Sequence, residues 1–273
     1  MPSPDNAYRL VLFDAPEDPQ AVRDLLSGVT GIHPTDAMQW VAKAPGVWPR
    51  PLREGEVREL LDGLYEMKVP AEAWRADVLP NLAPARSIHD AACLPEGWRV
   101  KGLRGEPTHW VPWDKVELVC VGRIMLEDEF RTVAPPGWVK AVSTGLNAML
   151  HRPHAITRQE RSMRIPHQPV GEMILIRKEP RIAFRVAENR MTYASLGEKR
   201  LPTAAENFPV YVREILGRAT DCYTTHSTEA FLQGGDPAEY EFPSSQALLD
   251  HATLKLLWSW YRRDRDAATG TEG

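Results

Sequence analysis

The sequence predicts an α+β fold in two parts: a small N-terminal domain of order β-α-α-β-α-β, and a mixed, mainly antiparallel β domain with a long C-terminal helix. Three observations lead to this prediction. Apolar residues recur at helical spacing between residues 18 and 64, short apolar runs with Gly/Pro punctuation dominate from residue 97 onward, and a helical apolar stripe covers residues 244–264. The period at which apolar residues recur is the main sequence signal that distinguishes a helix from a strand.

The first strand and the first helix have clear boundaries in the sequence. Residues 9–13 form a short apolar run, which is typical of a buried strand. Asp18 followed by Pro19 predicts an N-cap and a first-turn proline. Gly28 and Gly31 are expected to bracket the turn that follows, since positive φ is cheap only for glycine. The inner face of this helix carries Val22, Leu25, Leu26 and Val29.

Two further helices and a strand complete the first domain, which we place at residues 1–78. Pro34 begins the second helix, and residues 45–51 form a proline-rich loop that holds Trp48. Residues 69–74 predict a closing strand. The third helix has one continuous apolar stripe of Val57, Leu60, Leu61 and Leu64.

Residues 79–96 lose the periodic pattern, so we predict a linker there, with one short helical turn at residues 87–93. The second domain covers residues 97–266 and contains a predicted helix at 138–150. Its tail, residues 267–273, is small and polar and is predicted to be disordered. The strand candidates are residues 98–100, 109–125, 173–176, 182–186 and 191–193.

A further helix is predicted after Pro202. Thr203 and Glu206 have the spacing of a capping box. Because Pro209 would strain the early turns, we expect this helix to begin near Asn207.

Residues 8–75 contain two groups of residues that match the sequence patterns of known protein families. One set comprises Ala21-Val22-Arg23, Gly28-Val29-Thr30-Gly31-Ile32, Ala37, Val41 and Ala44-Pro45; the other comprises Leu12-Phe13-Asp14 and Gly46-Val47-Trp48-Pro49. On these residues, about a quarter of the chain resembles the fold shared by the C-terminal domain of the ribosomal stalk protein and the Clp protease adaptor family. The resemblance implies a small, rigid module that docks another protein.

The binding residues of those two families are not matched. Stalk domains use a lysine-rich surface, whereas the corresponding turn here is His33-Pro34-Thr35-Asp36. Adaptors use an Asn-Asp-Asp segment and a histidine, whereas this chain has Asp14-Ala15-Pro16 and Ala42. The second domain is weakly similar to a pleckstrin-homology-type barrel, whose ligands do not follow from the pattern.

Bulk composition narrows the functional classes. A net charge of −4 provides no general attraction to nucleic acid, which makes nucleic acid an unlikely partner. The longest apolar run is shorter than the ~20 residues of a membrane span, so we expect no membrane insertion. The N-terminus lacks the layout of a secretory signal, and three cysteines suggest no disulfide framework. We therefore expect a cytoplasmic protein.

Two pairs of candidate metal ligands are spaced four residues apart: His89 with Cys93, and Cys222 with His226. Two nitrogens and two sulfurs suit tetrahedral zinc. Neither pair has Cys-x-x-Cys spacing, and free cysteine is usually a small buried hydrophobe, so the non-metal interpretation is favoured. No cofactor is predicted.

The segment between His151 and His167 is rich in arginine. Guanidinium groups bind phosphate bidentately, so this segment is an alternative site for phosphorylated or anionic ligands; a solvated loop is the simpler interpretation. The candidate anion-binding residues are Arg152, Arg158, Arg161 and Arg164.

Motifs for a nucleophile elbow, a phosphate loop, a dinucleotide fingerprint or a zinc-protease helix do not occur in the sequence. Asp114, Glu117 and Glu172 could serve an unrecognised hydrolase, although charged residues in strands usually occupy exposed alternating positions. We therefore predict a non-catalytic protein.

Three tryptophans are candidates for partner contact. Trp258 and Trp260 are about 200° apart on a helix, so both cannot face one core. An exposed tryptophan there would mark a partner surface or a homodimer contact through the C-terminal helix. The third candidate is Trp48. Together these features predict a two-domain docking or adaptor protein whose partner is another protein.

Overall fold

The computed structural model describes residues 7–102, 107–125, 130–132, 162–164 and 169–269. It contains helices and mainly antiparallel sheets, and a long helix ends it, which confirms the predicted α+β class. Over these residues, no helix is both long enough and apolar enough to cross a membrane.

The N-terminal unit has the predicted order β-α-α-β-α-β. Its elements are β1 (Tyr8–Leu12), α1 (Pro19–Thr30), α2 (Pro34–Val41), β2 (Gly46–Val47), α3 (Glu54–Glu66) and β3 (Ala71–Arg75). The three strands form an antiparallel sheet in the order β2-β1-β3. Leu10 and Leu12 of β1 pack beneath the helices, in a core that includes Leu26 and Leu60.

Local chemistry explains where α1 begins and ends. The Asp18 carboxylate accepts the backbone N–H groups of Gln20 and Ala21, which have no partner within the helix. Gly31 ends the helix with a φ of 66° and donates its N–H to the Ser27 carbonyl. Gly28, expected in the turn, lies inside α1 instead.

The second unit contains more strands than predicted. Its elements in chain order are β4 (Arg86–Ile88), β5 (Ala91–Leu94), β6 (Gly97–Val100), β7 (His109–Pro112), β8 (Val116–Ile124), β9 (Phe130–Thr132), β10 (Ser162–Arg164), β11 (Val170–Arg177), β12 (Ile182–Ala187), α4 (Ala204–Leu216), β13 (Tyr223–Thr224), α5 (His226–Gln233), β14 (Glu241–Phe242) and α6 (Ser245–Thr269).

The principal sheet of this unit has six strands. Its order is β13-β8-β11-β12-β4, and β14 also pairs with β8. β11 lies between β8 and β12 and is antiparallel to both, whereas β4, β13 and β14 run parallel to the strands they pair with. One face packs against α6, and the other packs against α4 and the three-stranded sheet β5-β6-β7. The Trp98 indole donates to the Tyr211 hydroxyl at 2.7 Å within this second core.

Several predicted boundaries differ from the structure. The predicted linker contains β4 and β5, which pair with β12 and β6, so the second unit begins before residue 97. Residues 87–93 therefore form no helical turn, and residues 191–193 form no strand. The helix predicted at 138–150 lies outside the described residues. α6 continues to Thr269, past the predicted start of the tail at residue 267.

α4 begins at Ala204 rather than near Asn207, and Pro209 lies inside it. Both hydrogen bonds of the capping box are present: the Glu206 backbone N–H donates to the Thr203 hydroxyl, and the Thr203 backbone N–H donates to the Glu206 carboxylate. The buried Asn207 carboxamide also holds the preceding loop, since it accepts the Leu201 N–H and donates to two backbone carbonyls. These bonds fix the first turn, and the helix tolerates the missing proline N–H.

The two units meet on α6. Its residues Leu248 and Leu256 pack against the six-stranded sheet. Leu254 and Leu257 point to a different side and contact Val11 in β1. The N-terminal sheet is therefore separate from the larger sheet but is covered by α1–α3 on one face and by α6 on the other.

Candidate functional site

A groove of about 820 Å³ lies where the N-terminal unit, the chain around residues 79–83 and the first half of α6 come together. Its lining is mostly apolar. Pockets of 300–1,000 Å³ with apolar walls and a few polar groups are typical of binding sites, and they occur preferentially between domains. Among the lining residues are Trp40, Val47, Leu79, Phe242, Leu249 and Leu254.

The wall from the N-terminal unit is rigid. The Trp40 indole donates to the Val47 carbonyl at 3.3 Å and packs edge-on against Trp48, with ring centroids 4.4 Å apart. The Trp48 backbone N–H donates to the Leu10 carbonyl at 2.7 Å, which ties this wall to the central strand of the sheet. Pro45 and Pro49 also line the groove and restrict its backbone.

His251 of α6 is the polar residue most affected by its position in the groove. Its Nε2 is buried and has no hydrogen-bond partner within the part of the chain that the structure describes. Its ring lies 5.1 Å from that of Phe242, centroid to centroid. Burial, followed by the charge of Lys255, lowers the pKa of His251 to about 4, so the imidazole is neutral at pH 7.

A smaller pocket of about 150 Å³ lies at the N-terminal end of α6, and we call it the Glu172 pocket. Glu172 of β11 is buried, and its Oε2 accepts a hydrogen bond from the Ser245 hydroxyl at 2.9 Å. Burial raises the pKa of Glu172, and the Ser245 hydrogen bond and the charges of Arg185 and Arg190 act in the opposite direction.

Comparisons of the chain with protein-family models, with curated proteins and with solved structures found no match. The two concave sites are therefore the candidate functional sites of this chain. The larger one has the volume and apolar walls of a site for a peptide segment, and the smaller one has the polar lining of a site for a small ligand.

The four candidate zinc ligands lie on different elements. His89 lies between β4 and β5, and Cys93 lies on β5, so their spacing is not that of a helix face. Cys222 precedes β13, whereas His226 begins α5 and approaches Glu239 at 3.5 Å. Across the described chain, no three His, Cys, Asp or Glu side chains form a group that could hold a metal ion.

The environments of Cys93 and Cys120 are those of packed thiols. Burial raises the pKa of Cys93 to about 12 and that of Cys120 to about 11. Thiolate is the form that binds metals and attacks electrophiles, so these side chains are poorly suited to either role.

Most of the predicted anion-binding segment lies outside the described residues. Arg152, Arg158 and Arg161 lie outside the described residues, and Arg164 is described only as part of the backbone of β10. β10 and β9 pair in antiparallel orientation, and Arg164 lies opposite Phe130 in this short pairing.

Of the three acidic residues considered for hydrolysis, Asp114 is exposed in the short turn before β8, whereas Glu117 and Glu172 lie in strands and are buried. Glu117 is buried and accepts bonds from the Trp260 indole at 2.9 Å and from Arg181 at 3.3 Å. Glu172, also buried, lies in the separate pocket described above. The two carboxylates therefore occupy different environments, and Glu117 is held by partners within the chain.

The three tryptophans proposed for partner contact are used within the chain. Trp48 is only 3% exposed. Trp258 packs against Phe13 at 5.2 Å, and Trp260 packs against Trp74 at 5.4 Å, both between ring centroids. Both α6 rings therefore contribute to the contact between the two units. The homodimer through α6 stays a prediction, and these two rings do not support it.

Sequence reasoning missed the groove and His251. One signal for them was available: Leu254 and Leu257 fall off the apolar stripe of Leu248, Leu249, Ala252 and Leu256. A helix with two apolar faces packs against two bodies. That pattern indicates a junction between units, where binding sites concentrate.

Proposed function

We propose that this protein is a non-catalytic docking protein that binds an apolar segment of another protein in the groove between its two units. The observation that carries the proposal is the groove itself, which has a volume of about 820 Å³, apolar walls and a position between two separately cored units. The resemblance of residues 8–75 to the stalk and adaptor fold supports docking by analogy.

The charges of the groove favour an apolar occupant. Its titratable lining residues are Lys43, Asp250 and His251. Lys43 and Asp250 are exposed and opposite in sign, so they impose no net charge on the ligand. The neutral His251 provides one buried nitrogen with an unmet hydrogen bond. A backbone N–H or C=O of a bound segment would satisfy that nitrogen in the tautomer that suits it.

The same residues argue against a hydrolytic role for the groove. Thr253 is the hydroxyl among the lining residues, and it donates to the Leu249 carbonyl at 2.8 Å. A general base needs a nucleophile within hydrogen-bond reach, and His251 has no hydrogen-bond partner at Nε2. Binding, without bond cleavage, is the chemistry that this lining favours.

The test is a peptide-display selection against the full-length protein, followed by affinity measurements on Ala247→Trp. Ala247 lines the groove and is half-buried, so an indole there would occupy the space of a ligand side chain. We expect selected peptides to carry apolar residues and to bind the variant at least roughly tenfold more weakly.

The matched control is Glu59→Trp, which places the same side chain at an exposed position of α3 that does not line the groove. The control should bind the selected peptides like the unmodified protein. Selection of no peptide, or equal binding to Ala247→Trp, would show that the groove is not a docking site.

A further inference from the structure

The Glu172 pocket is built from the ends of several elements of the second unit. β4, β8, β11 and β12 provide its walls, and Ser245, the first residue of α6, lies at its edge. Its volume is about 150 Å³. A protein cavity of roughly that size accommodates benzene, a ligand with six heavy atoms. The pocket is therefore large enough for a very small molecule.

Among the described residues, one oxygen of Glu172 has no hydrogen-bond partner. The residue is only 5% exposed, and its Oε2 is bonded to Ser245, but its Oε1 is buried and makes no hydrogen bond. A carboxylate oxygen accepts hydrogen bonds, and a buried one without a donor is costly. A ligand that brings an N–H donor into the pocket would remove that cost.

Two guanidinium groups line the same pocket. Arg185 lies opposite Ile174 in the pairing of β11 with β12, two residues from the Glu172 position and on the same sheet face. Its Nη2 donates to the Ser87 hydroxyl at 2.8 Å, which holds the side chain along the pocket wall. Arg190 is exposed at the mouth. Guanidinium groups bind carboxylates through paired N–H donors.

We propose that the Glu172 pocket binds a small free amino acid, with the ammonium group on Glu172 and the carboxylate on Arg185 and Arg190. The pocket pairs an unmet acceptor with two cationic groups, and an amino acid carries the complementary donor and anion on adjacent atoms. L-Alanine has six heavy atoms, which matches the size limit set by the volume.

Ligands with a single charge fit less well. A simple cation would approach two guanidinium groups, which repel it. A simple carboxylate would leave Glu172 Oε1 without a donor and would place two carboxylates in one small pocket. The zwitterion satisfies both halves of the site.

The experiment is calorimetric titration of the full-length protein with glycine, L-alanine and L-serine, and with propionate and isopropylamine. The last two compounds keep the carbon skeleton of alanine but lack one charged group each. We expect at least one amino acid to bind, and both single-charge analogues to bind at least roughly tenfold more weakly. Glu172→Gln should weaken amino-acid binding by a similar factor, whereas Glu198→Gln, at an exposed position, should not change it.

If Glu172→Gln does not fold, Arg185→Met replaces it as the pocket variant, and the same loss is expected. The proposal is overturned if none of the three amino acids binds, or if propionate or isopropylamine binds as tightly as alanine. It is also overturned if a folded pocket variant keeps full affinity. None of these outcomes depends on whether the groove docks a peptide.

Discussion

The Trp74 ring in β3 and the Trp260 ring in α6 lie 5.4 Å apart between centroids, at an interplanar angle of 54°. This contact joins the two units of the chain. Trp260 also donates its indole N–H to Glu117 at 2.9 Å, and the Arg181 guanidinium lies 4.4 Å from its ring centroid. One side chain of α6 therefore connects the N-terminal sheet to the larger sheet.

Truncating Trp260 should weaken both contacts. Because the ring is half-buried, we expect Trp260→Ala to lower the free energy of unfolding by about 2–4 kcal/mol, somewhat below the cost at a fully buried site. Trp260→Phe keeps an aromatic ring but removes the bond to Glu117 and part of the indole surface, so about 1–2 kcal/mol is expected. Urea denaturation measures both. Tyr65→Ala, at a position that is 84% exposed, should change stability by less than ~0.5 kcal/mol. Equal effects at positions 260 and 65 would contradict the role of Trp260.

Two glycines at the end of α1 should respond oppositely to alanine. Gly28 is helical, and a Cβ there would meet no atom within 4 Å, so Gly28→Ala should stabilise the protein by about 0.5–1 kcal/mol. Gly31 has a φ of 66°, which an L side chain adopts at a cost, so Gly31→Ala should destabilise by about 1 kcal/mol. Thermal unfolding of the two variants tests the sign of each change, and a shift in the same direction for both would contradict this assignment.

The sequence predicted elements whose signals are local. α1 is fixed by Asp18, Pro19 and Gly31, which lie within one stretch of chain. Contacts between distant residues were not predictable in the same way. The sequence alone predicts an exposed strand charge at Glu117, because its partners Arg181 and Trp260 are 64 and 143 residues away.

β4 and β5 are two strands that also depend on contacts between distant residues. Residues 86–94 contain few β-branched or aromatic side chains, so propensity gave no strand signal. They become strands because β12 and β6 offer open edges to pair with. Both candidate sites were missed for a related reason: their linings combine residues from several elements of the chain, and neither forms a motif along the sequence.

The stability of the protein should depend on one hydroxyl group that pairs with β8 between its two short parallel neighbours, β13 and β14. β13 pairs with β8 as far as Val119, and β14 pairs with it from Arg123 onward. Between them, the Val121 N–H is bonded to the Thr228 hydroxyl at 2.8 Å, and Thr228 is fully buried.

Replacing that hydroxyl by a methyl group leaves a buried backbone donor unpaired. We expect Thr228→Val, which keeps the shape of the side chain, to destabilise the protein by about 1–3 kcal/mol. Thr228→Ser removes a methyl group and keeps the hydroxyl, so its cost should be smaller, about 0.8 kcal/mol. Denaturant unfolding measures the stability of the two variants. If Thr228→Val were more stable than Thr228→Ser, the Val121 N–H would have found another partner.

His251 should make stability fall as the pH is lowered. The unfolded chain binds a proton at this residue near pH 6.5, whereas the folded chain binds it only near pH 4. Between those values the unfolded state holds more protons, so the free energy of unfolding decreases as the pH drops through this window. The difference between the two pKa values corresponds to a loss of up to about 3 kcal/mol, which is absent above pH 6.5.

His251→Gln isolates this effect, since glutamine does not titrate. Other groups, including Glu172 with its raised pKa, titrate in both proteins and cancel in the difference between the two stability curves. Urea denaturation between pH 7 and pH 4 should therefore show the unmodified protein losing stability relative to the variant as the pH falls. Parallel curves would mean that His251 is protonated without cost in the folded state, and that the groove is more hydrated than its buried Nε2 indicates.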